Sequence, residues 1–425
     1  MDNGKIDAII RLIKREVVPA IGCTEPAAVA LAVAKATEML ECVPEKIDLC
    51  LSGNIIKNAM GVGIPGTGMI GLPIAVALGA LIGKSEYDLE VLKDVNEQAV
   101  ESGKKYISEN RIHISDCQGN VPNLHIDVKV EGKCRYARTV ISGSHQNFVF
   151  LDNNGDIVLD KKYQEKEDDG ADDVKLNAAT VYEFAMTAPV EKIRFILEAK
   201  RLNSAAAELG MRGGYGHALG ATMNHGLGLI GDSPLEHIMA LTSAACDARM
   251  GGAPIAVMSN SGSGNQGITA TMPVVSYAND INASEEQTVR ALILSNLTSI
   301  YIKQSLGRLS ALCGCVVAST GAAAGLTYLM GGGFKEMCAA IKNMVANLTG
   351  MICDGAKPSC AMKISSGVST SVMSAMLAIN GRCVSPSEGI VCEDVDETVH
   401  NLTAIGREAR RETDRLVLRI MVNKP

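Results

Sequence analysis

Three long stretches that contain no charged residue constrain the fold of this 425-residue chain most strongly. They cover residues 58–83, 250–279 and 309–334. Each is long enough to raise the question of a membrane span, but each is interrupted by Gly, Pro, Asn or Ser, and the chain has no Trp to form an interfacial belt. The stretches therefore favour a core of closely packed helices rich in Ala and Gly over a membrane protein.

A buried helix is predicted near the N-terminus. Residues 27–40 are apolar on nearly every face, which is typical of a helix surrounded by protein. In the preceding Ile21-Gly-Cys-Thr-Glu-Pro26, Thr24 suits the N-cap and Pro26 the first turn. Cys23 then lies beside a helix N-terminus, where partial positive charge favours the thiolate. Cys23 is thus a candidate base, nucleophile or metal ligand, and a small buried thiol in a tight turn is the alternative.

The spacing of apolar residues changes in the next part of the chain. Apolar residues alternate over 47–51 and 124–130, which predicts half-buried strands. Turn signals at Glu131-Gly132 and Asn153-Asn154-Gly155 predict an antiparallel meander over roughly 123–160. An acidic linker follows at 161–175, and the remainder reads as almost wholly helical.

These patterns predict an α+β fold in three parts. Residues 1–45 form an N-terminal helical arm that carries Cys23 and packs on the helical domain. Residues 46–175 form a smaller α+β domain with an antiparallel sheet. Residues 176–425 form a large all-α domain.

The cysteines and the charge narrow the class of protein. Thirteen is an odd number of cysteines, and the start Met-Asp-Asn-Gly is not a secretory signal. We therefore expect a reducing cytoplasm, with free thiols and ligands rather than a disulfide framework. A net charge of −7 without a basic cluster argues against nucleic acid, so the expected partner is a small molecule.

Three cysteines in the last third of the chain, Cys313, Cys353 and Cys360, are candidate metal ligands; they are called the cysteine trio below. Cys353 and Cys360 bracket a turn with Gly and Pro, which can fold two thiolates onto one metal site, and Cys313 begins an Ala-rich run beside Cys315. Zinc usually shows paired Cys-x-x-Cys ligands and a fourth residue, so the wide spacing favours an iron–sulfur cluster. Zinc and plain buried thiols stay open. Three thiolates would leave a four-iron cluster one ligand short and create an open Lewis acid.

Two polar segments are candidates for binding a small anion. Residues 259–267, the polar loop below, read Ser-Asn-Ser-Gly-Ser-Gly-Asn-Gln-Gly, and a helix beginning near Gln266 would offer its N-terminus to a carboxylate. The Gly spacing fits neither a dinucleotide fingerprint nor a P-loop. The second segment, Ser52-Gly53-Asn54, follows the first predicted strand. An ordinary loop and a strand-to-helix turn explain these residues equally well.

Together, Gly22-Cys-Thr-Glu-Pro26, Ser52-Gly-Asn54, the polar loop from Asn260 and the cysteine trio resemble the L-cysteine desulfidase family, which is related to the iron–sulfur L-serine dehydratases. The resemblance covers nearly the whole chain, with four motifs in the same order. It implies a [4Fe–4S] cluster held by the cysteine trio with one iron open to substrate. Bacterial serine dehydratases can cap this iron with a C-terminal cysteine, whereas this sequence ends Val422-Asn-Lys-Pro425, which favours the desulfidase branch.

The resemblance implies conversion of L-cysteine and water to pyruvate, ammonia and hydrogen sulfide without pyridoxal phosphate. Cys23 would be the base or a resting ligand of the open iron. The residues expected to bind the amino-acid substrate are Ser52, Gly53, Asn54, Asn260, Ser261, Ser263, Asn265 and Gln266. For Lys363 and His145, ordinary surface or turn roles are favoured over a role in the site. L-Serine dehydratase activity and a non-catalytic binding or redox-sensing role are the alternatives, and a homodimer is compatible with the sequence.

Overall fold

The fold comes from a computed structural model that describes residues 1–117, 121–161, 174–224, 231–307 and 312–423, without the side chains of residues 410, 411 and 422. Most of the predicted linker at 161–175 lies outside these residues. So do residues 309–311 of the third charge-free stretch and residues 424–425.

The helices, in chain order, are α1 Asn3–Glu16, α2 Thr24–Leu40, α3 Gly53–Ala59, α4 Leu72–Leu81, α5 Glu97–Ser108, α6 Ala178–Thr187, α7 Val190–Ile193, α8 Leu197–Met211, α9 Leu219–Asn224, α10 Pro234–Met250, α11 Gly264–Asp280, α12 Glu285–Leu306, α13 Gly314–Leu329, α14 Phe334–Leu348, α15 Cys360–Ile379, α16 Val395–Glu408 and α17 Arg410–Val422. The strands are β1 Pro19–Ile21, β2 Lys46–Leu51, β3 Ile112–Asp116, β4 His125–Gly132, β5 Arg135–Ser142, β6 Phe148–Asn153, β7 Asp156–Asp160 and β8 Ala256–Met258. Short 3-10 turns lie at Ser85–Glu90 and Arg194–Ile196.

Six of the described strands form one sheet in the order β3-β2-β4-β5-β6-β7. The predicted meander is present as the antiparallel strands β4 to β7, and β2 joins it antiparallel to β4. The sheet is mixed rather than antiparallel throughout, because β3 returns through α5 and pairs parallel with β2. The first hairpin turn is at Lys133-Cys134, both with positive φ, rather than at Glu131-Gly132, which still pair within the strands. The second is at Asn154-Gly155, as predicted.

Helix α2 covers one face of this sheet. Its residues 28–34 are completely buried, so the prediction of a helix surrounded by protein is confirmed. Apolar residues of α2, α4, β2, β4 and β5 form one core. Alternate residues of β4 are buried, which is the pattern of a strand with one face on a core. The first turn of α2 is thereby held at the edge of the α+β part.

Most helices beyond residue 176 share a second core, which among the described residues also includes part of the short strand β8, whereas α17 packs against the sheet core through Leu418. Small residues allow close helix contacts there: a Cβ at Gly321 of α13 would lie 2.3 Å from Ser295 O of α12. Within the described residues, no helix is both long and apolar enough to cross a membrane. The charge-free stretches therefore contribute to helices buried by protein, including α4, α11 and α13.

Residues 1–45 divide between the two cores rather than forming one arm on the helical part. The buried face of α1 belongs to the helical core, whereas α2 belongs to the sheet core. Between them, β1 pairs antiparallel with β8. The expectation of free thiols also fails at one pair, because Cys50 and Cys117 are joined by a disulfide bond; the parallel pairing of β2 with β3 brings them together. The other cysteines are free.

Candidate functional site

A cavity of about 180 Å³ lies where the sheet core meets the helical core. The first turns of α2, α11, α13 and α15 meet there, together with α3 and the end of α10. All members of the cysteine trio line it, as do Cys23 and part of the polar loop. The structure thus brings together residues that are separated by more than 300 positions in the sequence.

Main-chain contacts bring the cysteine trio to one wall of the cavity. Cys313 is the N-cap of α13, and its N–H donates to Met351 O at 2.9 Å, which places it beside the loop that carries Cys353. That loop can approach α3 because residue 355 is Gly: it has φ +93°, and a Cβ there would lie 1.9 Å from Lys57 O. The loop ends at Cys360, the first residue of α15.

The surroundings of the cysteine trio favour the thiolate form of Cys353. A hydrogen bond from Cys313 holds the pKa of Cys353 well below its usual value, and Lys57 and Lys363 act in the same direction. Lys363 Nζ also donates to Ile352 O at 2.9 Å and to the Asp354 carboxylate, which ties the loop to α15. The cavity wall therefore stabilises negative charge at Cys353, whereas the hydrogen bond to Cys353 raises the pKa of Cys313 and burial raises the pKa of Cys360.

The three thiols of the cysteine trio are unevenly spaced. Sulfur ligands of one zinc lie about 2.3 Å from it and thus less than about 4 Å from one another. In the described part of the chain, the three thiols do not all fall within 4.8 Å of one another, although Cys313 is hydrogen-bonded to Cys353. A four-iron cluster is larger and holds its thiolates further apart. The thiols are therefore not gathered around a single ion, and three soft sulfur donors on one wall are of the kind that iron–sulfur clusters use.

Cys315 also lines the cavity but is held differently. Its Sγ donates to Lys363 O at 3.1 Å and lies 3.5 Å from Ser319 Oγ. Burial raises the pKa of Cys315 to about 12. Cys315 is therefore a protonated thiol with contacts inside α13 and to α15.

Cys23 departs from its expected protonation state. Cys23 rather than Thr24 is the N-cap of α2, but burial and the neighbouring Glu25 carboxylate raise its pKa far above the usual value for a thiol. Its Sγ donates to Glu25 Oε2 at 3.0 Å. The prediction of a thiolate at the helix N-terminus is wrong, because desolvation outweighs the helix dipole at a buried position. Glu25, whose Oε1 accepts from Asn58 Nδ2 at 3.3 Å, was not predicted.

This protonation state predicts slow chemistry at Cys23. Iodoacetamide reacts with thiolates, so at pH 7 we expect Cys23 of the reduced, metal-free protein to be alkylated at least about 100-fold more slowly than the exposed Cys134. The rate at Cys23 should rise with pH. Time-resolved peptide mass spectrometry measures both sites in one sample. Equal labelling of Cys23 and Cys134 at pH 7 would contradict the protonated state and support the original prediction of a thiolate at Cys23.

The polar residues predicted from the sequence divide into two groups. Those that line the cavity are Asn54, Ser261, Ser263, Asn265 and Gln266. Ser263 is the N-cap of α11, and its Oγ accepts from Gln266 N at 3.4 Å, so the helix begins close to the expected position. Gln266 Nε2 donates to Asn260 O at 3.0 Å, whereas its buried Oε1 has no hydrogen-bond partner among the described residues.

Ser52, Gly53 and Asn260 do not line the cavity. Ser52 Oγ donates to Asn123 O at 2.8 Å and so fixes the end of β2. Gly53 makes room for α17, since a Cβ there would lie 2.5 Å from Leu418 Cδ2. Asn260 is fully buried and donates to Asn296 O and Oδ1 at 3.1 and 3.0 Å. These three residues position their neighbours instead of facing a ligand.

The charged residues of the cavity were largely missed by sequence reasoning. Lys363, for which a surface role was favoured, lines it, whereas His145 does not. The charged lining residues are Glu25, Lys57, Arg249, Lys303 and Lys363. Lys57 and Lys363 are paired with Asp414 and Asp354, so the excess of positive charge on the lining is smaller than the number of cations.

Comparison with known proteins shows the family. The family model described as serine dehydratase alpha chain matches residues 86–419. The chain belongs to this family. A UPF0597 protein of Bacteroides fragilis is 60% identical over the whole of both chains, and one of Porphyromonas gingivalis is 52% identical over the whole of both. A UPF0597 protein of Shewanella halifaxensis is 45% identical over 98% of each chain.

The predicted relation to serine dehydratases is therefore confirmed. The match to the serine dehydratase alpha chain includes the cysteine trio and the polar loop but begins after Cys23 and Asn54. The relatives extend over those N-terminal residues as well.

Proposed function

We propose that the protein is an iron–sulfur-dependent, pyridoxal-phosphate-independent lyase that converts L-cysteine and water to pyruvate, ammonia and hydrogen sulfide. One observation carries the proposal: the cysteine trio lines the same cavity as Cys23 and the polar loop. The family is generally iron–sulfur dependent, which supports it further.

The cysteine trio would hold a [4Fe–4S] cluster. Bound there with three protein ligands, the cluster would supply a soft Lewis acid for the leaving sulfur. Because the thiols must stay reduced, we propose the cytoplasm as the place of the reaction.

Proton removal from Cα is assigned to Cys23 and Glu25, the acid–base pair. Glu25 Oε2 takes the thiol proton across the 3.0 Å contact, and the Cys23 thiolate takes the proton from Cα. The electrons of the Cα–H bond form the Cα–Cβ double bond while the Cβ–S bond breaks and hydrosulfide leaves. The aminoacrylate becomes the imine, which water hydrolyses to pyruvate and ammonia.

Polar side chains of the cavity orient the substrate. Gln266 Oε1 is a buried acceptor without a partner among the described residues, so it is suited to the substrate ammonium group. Asn54, Ser261 and Ser263 lie on the same lining and offer further hydrogen bonds. Fixed orientation of the Cα–H and Cβ–S bonds relative to Cys23 lowers the barrier to elimination.

The charge of the cavity favours cysteine over serine as substrate. Hydroxide is a strong base and leaves carbon readily only with a proton, whereas hydrosulfide is a weak base and can leave as an anion. The lining cations Lys57 and Lys363 stabilise such an anion near Cys353. L-Serine is the second candidate because the matching family model is that of serine dehydratase.

A substrate panel tests the proposal. Anaerobically reconstituted protein should release sulfide and pyruvate in equal amounts from L-cysteine, with kcat/KM at least about 10-fold above that for L-serine. A preference for L-serine would transfer the assignment to the second candidate. If protein with a fully reconstituted cluster turns over neither amino acid, the proposed lyase activity is contradicted.

A further inference from the structure

Arg249 is a buried cation that has no ion-pair partner among the described residues. It lies in the last turn of α10, is 6% exposed and lines the cavity. Its Nη1 donates to Asn265 Oδ1 at 3.0 Å and its Nη2 to Gly22 O at 2.9 Å, which are both neutral acceptors. Its buried Nε has no hydrogen-bond partner among the described residues. Burial of a guanidinium is costly unless an anion accompanies it.

Two other cations of the cavity have such an anion. Lys57 Nζ lies 2.7 Å from Asp414 Oδ1, and Lys363 is paired with Asp354. No carboxylate of the described residues lies within the 4.0 Å that defines an ion pair with Arg249. The charge of Arg249 is therefore available to a guest of the cavity.

Arg249 lies beside the residues that are proposed to contact the substrate. Its two main acceptors belong to Gly22, next to Cys23, and to Asn265 in the polar loop. These contacts hold the guanidinium beside the acid–base pair. A substrate whose Cα–H faces Cys23 carries its carboxylate on that same carbon, one bond from the reacting centre.

We propose that Arg249 is the receptor for the α-carboxylate of the substrate, so that the cavity selects free α-amino acids over amines and amino-acid amides. This inference rests on the proposed function. A guanidinium presents several N–H groups in one plane and binds carboxylate with both charge and direction. Asn265 and Gly22 fix the plane of the guanidinium before substrate enters, which reduces the ordering required on binding.

The test uses a ligand pair that cannot undergo elimination. L-Alanine and L-alaninamide differ only in the carboxylate, and calorimetry measures their binding to the metal-free protein and to the reconstituted protein. We expect wild type to bind L-alanine at least about 30-fold more tightly than L-alaninamide. The amide lacks the carboxylate, and loss of one partner of a buried charge pair typically costs this much affinity or more. Arg249→Gln should reduce this ratio to near 1, and Arg249→Lys should retain part of it.

Arg201→Gln is the matched control, since Arg201 is exposed and pairs with Glu198 on the surface of α8. It should leave the ratio unchanged. Equal binding of the two ligands to wild type, including no measurable binding of either, overturns the proposal even if the Arg249 variants do not fold. An unchanged ratio in Arg249→Gln overturns it as well. If the ratio behaves as expected but loaded protein turns over no amino acid, only the proposed lyase activity fails.

Discussion

Replacing Cys353 with serine should abolish cluster binding and reduce turnover of L-cysteine at least about 1000-fold, because loss of one of three thiolates leaves two ligands for the cluster. Cys353 lies at the centre of the wall, where it accepts a hydrogen bond from Cys313 and where Lys57 and Lys363 favour its thiolate. After anaerobic reconstitution we expect about four iron and four sulfide per chain in wild type and a small fraction of that in the variant. Iron and sulfide analysis with an absorption spectrum gives the result without reference to activity.

Cys315→Ser is the control because Cys315 lines the same cavity. Its thiol is occupied by Lys363 O and Ser319, so we expect this variant to retain the cluster. Loss of iron in Cys315→Ser, with retention in Cys353→Ser, would contradict the assignment of the cysteine trio. Circular dichroism of both metal-free variants separates ligand loss from misfolding.

The second large effect is expected at Glu25. Glu25→Gln removes the acceptor for the Cys23 proton while keeping the size of the side chain, so kcat for L-cysteine should fall about 100-fold to 10,000-fold. Iron content and L-alanine affinity should change little, since the carboxylate is 3.0 Å from Cys23 and not part of the cysteine trio. The kinetic isotope effect with α-deuterated L-cysteine should rise, because proton transfer then limits the rate.

A matched substitution on the same helix separates this role from a structural one. Glu38→Gln removes a carboxylate of α2 that is bonded to Ser85 on the surface, and it should leave kcat unchanged. A large loss in both variants would indicate damage to α2 rather than loss of a proton acceptor. An unchanged kcat in Glu25→Gln would contradict the acid–base pair.

The local spacing of apolar residues was sufficient to predict much of the fold. The buried α2 and the meander from β4 to β7 follow from spacing within single segments, and each formed close to its predicted bounds. The parallel pairing of β3 with β2 and the Cys50–Cys117 disulfide depend on contacts across 60 or more positions, which no local pattern contains. A three-residue strand such as β1 is too short to show a period at all.

That short strand decides the geometry of the site. Pairing of β1 with β8 places Gly22 and Cys23 next to the polar loop, and this allows Arg249 to bridge Gly22 O and Asn265. The cysteine trio was singled out by its resemblance to a known family, since spacing alone left zinc and plain buried thiols open. Arg249 and Glu25 were not, since a lone charge in a helix or beside a Pro has no sequence signature until its neighbours are known.

The protonation state of Cys23 also depends on neighbours that the sequence does not reveal. The helix N-terminus was correctly placed, but its effect on the thiol depends on burial and on the adjacent carboxylate. Both are consequences of packing between the two cores. Residue order predicts where a helix begins more reliably than it predicts the dielectric environment there.

The open iron is the central claim, and Mössbauer spectroscopy of protein reconstituted with ⁵⁷Fe tests it most directly. Spectra are recorded before and after rapid freezing with L-cysteine, and with L-alanine as the ligand that lacks a leaving group. We predict that one iron site in four changes its spectrum with L-cysteine and that the other three do not. Four unchanged iron sites in a sample that is turning over L-cysteine, or a protein that takes up no cluster, would contradict the account.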